Sequence, residues 1–186
     1  MSYVVTYTGR IVDLANPSPE QIHIDDISHA LSQVNRYTGH TRVPYSVGYH
    51  TLLCHLEAVR RGESNRILLL LLMHDFSEYV LNDLSRPLKD LLPEYMVLED
   101  NMMTTIYEAF NVSPPTVDEL TVVKFYDNKL LSNEIGHYMA SPELYSIKVN
   151  NDVFFIDNIS PKVVAKELKD AFLRTLEIYH KEKEVV

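Results

Sequence analysis

The sequence predicts a mostly α-helical single domain over residues 1–186, with one or two short β-hairpins. Three observations lead there. Most of the chain falls into blocks with apolar residues at helical spacing, bounded by cap and stop signals. Only two short stretches alternate with the period of a strand. The 186 residues are 46% apolar and 23% charged, ordinary values for one domain with a sizeable core.

Tyr3 to Leu14 alternates weakly around Thr8-Gly9-Arg10 and reads as the first hairpin. Asn16-Pro17-Ser18-Pro19 then breaks the chain. Ile27, Ala30, Leu31 and Val34 keep helical spacing behind an Asp25 cap, with Gly39 beyond the end. Ser46 caps a second helix, whose apolar face is Tyr49, Leu52, Leu53, Leu56 and Val59. It stops at Arg60-Arg61-Gly62, with cations in the last turn and a glycine after it. Ser64 caps a third helix over residues 65–81. Within it, the run from Ile67 to Met73 reads as a segment buried all round, or as a core strand.

Asn82, Asp83, Ser85 and Pro87 form a loop. Met102, Met103, Ile106 and Phe110 place a fourth helix over residues 93–110, stopped by Ser113-Pro114-Pro115. A long fifth helix covers residues 117–139. Tyr145 to Asp157 alternates about Asn150-Asn151, which predicts the second hairpin. Ser160-Pro161 opens the last helix, with a cap residue before a proline.

Composition limits the function. There are 26 acidic and 17 basic side chains, a formal charge of -9. That balance argues against a nucleic-acid partner, whose binding needs basic surface. The longest apolar run is far shorter than the roughly 20 residues of a membrane span. Cys54 is the one cysteine, so no internal disulfide forms. A reducing, cytoplasmic location is expected, and the first ten residues lack the pattern of a signal peptide.

The most informative stretch is His74-Asp75-Phe76-Ser77-Glu78. On one helix His74 and Glu78 would share a face, with Asp75 three residues before Glu78. Imidazole and carboxylate suit a divalent metal, and a further carboxylate can take a proton from water beside it. Chance gives roughly 0.04 such pentads in a chain of this composition, which makes it a hypothesis rather than a motif. His74 reads equally as a satisfied core histidine, and Asp75 as a solvated acid. A metal needs further ligands. His50 lies near the start of the second helix. Asp127 lies midway along the fifth, amid apolar neighbours, where a carboxylate is costly unless paired. Taken alone, Asp127 reads as an exposed position on an amphipathic helix.

The order His50, His74-Asp75, Asp127 resembles that of the HD-domain metal-dependent phosphohydrolases. The resemblance extends over Tyr7-Thr8-Gly9-Arg10, Asp25-Asp26-Ile27-Ser28-His29-Ala30-Leu31-Ser32 and Arg36-Tyr37-Thr38-Gly39-His40. It continues through Tyr45-Ser46-Val47-Gly48-Tyr49-His50 and Asp83-Leu84-Ser85-Arg86-Pro87-Leu88-Lys89, covering about residues 7 to 140. These segments look like a phage and prophage branch that includes deoxyadenosine triphosphate triphosphohydrolases. That branch in turn resembles bacterial HD-type deoxynucleoside 5′-monophosphatases.

The resemblance implies an HD-domain helical bundle. It implies that His50, His74, Asp75 and Asp127 ligate a divalent metal ion: zinc, cobalt or manganese. Glu78 would orient or deprotonate the attacking water, and Asp83 would help protonate the leaving oxygen. Arg36 and Lys89 would contact phosphate, and Tyr37 would pack near sugar or base. The implied activity is hydrolysis of a deoxynucleotide, dATP first, to deoxyadenosine and triphosphate, in control of a phage nucleotide pool. A deoxynucleoside 5′-monophosphatase and a non-catalytic nucleotide-binding regulatory domain are the alternatives. A homo-oligomer is the default expectation.

Overall fold

The computed structural model describes residues 2–184. The protein is mostly α-helical with one short antiparallel hairpin. Strands β1 (Tyr3–Val5) and β2 (Ile11–Asp13) pair with Val4 opposite Val12. Gly9, at φ +83°, makes the turn between them.

Helix α1 (Ile24–Leu31) follows. Its cap is His23 rather than Asp25: the His23 side chain accepts from the Asp25 N–H. Asp25 itself pairs with Lys169, so its carboxylate is engaged away from the helix end. Helix α2 (Val47–Arg61) starts at the Ser46 cap and ends at Gly62, left-handed at φ 76°. Helix α3 (Asn65–Met73) starts at the Ser64 cap. Leu69 through Met73 are almost fully buried, because α3 is covered by α2 and by the later helices Val117–Tyr138 and Pro161–Glu184. The short helices α4 (Glu78–Leu81) and α5 (Arg86–Lys89) precede α6 (Pro93–Ala109), α7 (Val117–Tyr138) and α8 (Pro161–Glu184). Thr116 and Glu119 form a reciprocal capping box on α7.

Three further sequence expectations change. The third helix does not run through to residue 81. The His74 imidazole bonds the Leu71 carbonyl, and the ladder tightens: the Phe76, Glu78 and Tyr79 N–H groups each reach back three residues, to Met73, Asp75 and Phe76. The loop after residue 81 is also not entirely irregular, since it contains α5. Finally, residues 145–157 are not a second hairpin. Backbone groups of Lys148, Asn150, Asp152 and Val153 bond α7 instead of each other. Asn133 Oδ1 accepts from the N–H groups of Asp152 (2.8 Å) and Val153 (3.0 Å), and the Ser132 hydroxyl donates to the Lys148 carbonyl. Gly136 allows this close approach: a Cβ there would stand 2.5 Å from Val149 Cγ1 and 2.8 Å from Asn151 Oδ1.

Among the described residues no helix is long and apolar enough to cross a membrane. The buried core is continuous from β2 through α1, α2, α3 and α7 to α8. The candidate site lies where α2 and α7 meet the turn that follows α3.

Candidate metal centre

The turn after α3 explains how adjacent residues reach one point. On a regular helix His74 and Asp75 would diverge by about 100°. Here His74 lies past the last α-helical residue, where its Nδ1 is fixed by the Leu71 carbonyl at 2.7 Å. A carbonyl only accepts, so Nδ1 donates to it and Nε2 is turned toward the cluster. That Nε2 stands 3.0 Å from Asp75 Oδ2.

His50 is fixed in the same way from another direction. It sits in the first turn of α2, fully buried. Its Nδ1 lies 2.5 Å from Glu134 Oε1, on α7. Glu134 also accepts from the Tyr37 hydroxyl at 2.6 Å, the Tyr45 hydroxyl at 2.8 Å and Arg36 Nε at 3.3 Å. Burial alone would raise this carboxyl, but Arg36, His50 and the Tyr37 hydroxyl hold it at about 2. An ionised Glu134 only accepts, so His50 Nδ1 donates and its Nε2 faces inward.

Around His50 Nε2 stand His74 Nε2 at 3.3 Å, Asp127 Oδ1 at 3.3 Å and Asp75 Oδ2 at 3.7 Å. The structure thus brings together His50, His74, Asp75 and Asp127 from α2, the turn after α3 and α7. Ligands on a tetrahedral ion with metal–nitrogen lengths of about 2.0–2.1 Å stand about 3.3–3.4 Å apart, close to these spacings. The donor set is two inward imidazole nitrogens and two carboxylates. Asp75 Oδ2 is buried without a hydrogen bond of acceptable geometry. The carboxylates draw protons toward the imidazoles: His74 is raised above its usual range although burial lowers it, chiefly by Asp75. The cluster attracts positive charge, and these residues fit a divalent cation.

Cys54 adds a thiol that sequence reasoning did not place. It lies one turn after His50 on α2, with Sγ 3.5 Å from His50 Nε2. His50, Cys54 and His74 bring their ligand atoms within 4.8 Å of one another, a group that could hold a metal ion. The i,i+4 spacing from His50 was the available signal. Glu134 was missed too. Its signal was its position seven residues after Asp127, two turns along the same face of α7.

The other expected residues lie around this cluster. Glu78 begins α4, 4% exposed, with Oε2 lacking a partner. Burial pushes its carboxyl well up, reinforced by the charges of Asp75 and Asp83. Lys89 Nζ stands 3.6 Å from Glu78 Oε1 and 2.6 Å from Glu99 Oε1. Asp83 follows Asn82, whose left-handed φ of 66° ends α4. Burial raises the Asp83 carboxyl against the opposing charges of Arg36 and Lys89. Arg36 reaches the cluster from the loop before α2, with Nη1 3.6 Å from Asp75 Oδ2.

That loop is clamped at its base: the Arg36 N–H donates to the Tyr45 carbonyl and the Val47 N–H to the Val34 carbonyl. Tyr37 and Thr38 are both left-handed, at φ 56° and 52°. Such backbone costs about 1–3 kcal/mol per residue and persists only where the surroundings enforce it. The Tyr37–Glu134 hydrogen bond is part of that enforcement. The remaining histidines stay apart. His29, for example, stacks on Tyr7 at 3.6 Å between ring centroids.

Two curated bacterial proteins are similar to the chain. The Escherichia coli (strain K12) protein YfdR, described as uncharacterized, is 32% identical over 134 residues, covering 72% of this chain and 71% of that protein. An uncharacterized protein of Rhodobacter capsulatus is 36% identical over 110 residues, 56% of each chain. No protein-family model matches.

Proposed function

The chain belongs to the same family as the Escherichia coli protein YfdR, described as uncharacterized; from the geometry of its buried cluster we propose that it is a metal-dependent phosphohydrolase of the HD-domain type. Its proposed substrate is a deoxynucleotide, dATP first, cleaved to deoxyadenosine and triphosphate. The observation that carries this reading is the convergence of His50, His74, Asp75 and Asp127, with both imidazole Nε2 atoms turned inward by protein acceptors.

These four residues would hold the ion. When bound, a divalent cation supplies Lewis acidity toward a phosphoryl oxygen and acidifies adjacent water. Imidazole and a nearby thiol favour zinc or cobalt over harder ions, with manganese still accommodated by the two carboxylates. Glu78 takes a proton from the attacking water; burial raises its carboxyl, and Lys89 3.6 Å away works against that rise. Asp83, raised by burial, gives a proton to the leaving oxygen. Arg36 and Lys89 stabilise charge on the equatorial phosphoryl oxygens. The hydroxyl of Tyr37 is taken by Glu134, which leaves its ring for sugar or base. A homo-oligomer, a cytoplasmic location and a role in a phage nucleotide pool belong to the same proposal.

The test is a product assay on the four deoxynucleoside triphosphates and their monophosphates, with metal content measured on the same sample. The expected result is triphosphate released from dATP. Phosphate from dAMP with dATP untouched would replace this activity by a 5′-monophosphatase. No hydrolysis of any nucleotide by metal-loaded protein would sink the catalytic reading and leave a nucleotide-binding domain.

A further inference from the structure

Cys54 is a free thiol, 0% exposed. It follows His50 by four residues on one face of α2. Among the described residues its Sγ has one hydrogen-bond partner, His50 Nε2 at 3.5 Å. That nitrogen cannot serve two roles. With Nδ1 donating to Glu134, Nε2 keeps one lone pair. An ion held by His50 takes that lone pair. The thiol then loses its acceptor, unless the sulfur binds the same ion.

The spacings favour the second arrangement. Metal–sulfur bonds of about 2.3 Å and metal–nitrogen bonds of about 2.0–2.1 Å, at tetrahedral angles, set sulfur and nitrogen about 3.5–3.6 Å apart. Cys54 Sγ and His50 Nε2 stand at 3.5 Å. The two imidazole nitrogens, which require about 3.3–3.4 Å, stand at 3.3 Å. The longer spacing falls on the sulfur, as its longer bond demands. The ligand atoms of His50, Cys54 and His74 all lie within 4.8 Å of one another. The donors are also sorted by depth. His50 and Cys54 are fully buried, whereas Asp75 and Asp127 are partly exposed. The soft donor thus forms the inner wall and the carboxylates the mouth.

We propose that Cys54 is a further metal ligand, and that its sulfur makes the centre select zinc or cobalt over manganese. The assignment rests on the metal centre of the reading above and not on its substrate. On binding, the sulfur gives an electron pair to the ion and the thiol proton passes to the solvent. The ion keeps its oxidation state, so no oxidant or reductant enters. Imidazole and carboxylate accept manganese as well, whereas a thiolate discriminates against it. The choice of ion therefore falls to the one sulfur on the inner wall.

The full chain is titrated with Co(II), Zn(II) and Mn(II). Cobalt is the direct probe, because a cobalt–thiolate bond adds a near-ultraviolet charge-transfer band to the visible d–d bands. Wild type is expected to show both, and Cys54→Ser to keep the visible bands and lose the sulfur band. Competition with a chromophoric chelator should show zinc affinity falling by about tenfold or more in Cys54→Ser, equivalent to about 1.4 kcal/mol. Manganese affinity should change little, so the preference between the two ions narrows. Cys54→Ala buries no hydroxyl and should behave alike, with circular dichroism of both variants recording their folding. Cobalt-loaded wild type without the sulfur band overturns the proposal whatever the variants do, and the hydrolase reading stands if nucleotide is turned over. A sulfur band without hydrolysis of any nucleotide keeps Cys54 as a ligand and removes the hydrolase. A chain that binds none of the three ions sinks both.

Discussion

His50 and Glu134, 84 positions apart in sequence, meet in the buried core with Nδ1 and Oε1 2.5 Å apart. This contact turns the free nitrogen of His50 toward His74, Asp75 and Asp127. A carboxylate behind a ligating histidine fixes its tautomer and orientation and raises its basicity.

Replacing that carboxylate should therefore weaken the proposed metal site without touching a proposed ligand. Glu134→Gln is expected to lower metal affinity about 10–100-fold, read by competition with a chromophoric chelator. It should also cost about 3–5 kcal/mol of stability in urea unfolding, because Arg36 and His50 lose a buried counter-charge. An affinity equal to wild type would show that Glu134 does not orient His50.

Ligand and proton-transfer roles should separate by measurement. Asp127→Ala is expected to lose bound metal on dialysis and with it any turnover. Glu78→Gln should keep its metal but lose about 10²–10⁴-fold in kcat, the usual range for a positioned acid or base. Metal analysis and single-substrate kinetics on the two proteins decide this. Loss of metal from Glu78→Gln would make Glu78 a ligand instead.

The packing of residues 145–157 on α7 depends on a missing side chain. Gly136→Ala would set a Cβ 2.5 Å from Val149 and 2.8 Å from Asn151. Alanine helps a free helix by about 1 kcal/mol, but the overlap costs about 1–3 kcal/mol and should win. Thermal unfolding should show the loss. Faster proteolysis within residues 145–157 should accompany it.

Acid stability should depend on Glu57. Hydrogen bonds from Arg60, with help from Arg61 and Lys129, hold its carboxyl at about 2, below the ordinary 4.5. A depressed carboxyl contributes stability above its unfolded pKa, and that contribution is lost as pH falls from 4.5 toward 2. The full shift corresponds to about 3 kcal/mol. Solvent screening around Arg60, which is 65% exposed, reduces this to about 1 kcal/mol. Glu57→Gln should therefore lower stability at pH 7 and flatten its fall below pH 4.5. Equal stability of the two proteins at pH 7 would remove Glu57 from the acid response.

Much of the helical layout was legible locally. Ser46 with Gly62 bounds α2 and Ser64 starts α3, because caps and stops act on the nearest few backbone groups. The second hairpin was misread for the same reason. Alternation around Asn150-Asn151 is a local pattern, but the competing partners, the Ser132 hydroxyl as donor and Asn133 Oδ1 as acceptor, belong to another element. The His23 cap was missed because Asp25 found a distant partner in Lys169.

The sequence by itself determined where the longer helices lie, that the run from Ile67 to Met73 is largely buried, and which residue types are available for metal and proton chemistry. Only the tertiary structure decided that His50, His74, Asp75 and Asp127 face one point, and that Glu134 and Cys54 join them. Spacing along one helix reports which side chains share a face. The meeting of three segments depends on how α2, α3 and α7 pack. The tightened turn after Met73, which lets neighbouring residues aim together, follows from a histidine side chain bonding the Leu71 carbonyl. Periodicity carries no trace of such a bond.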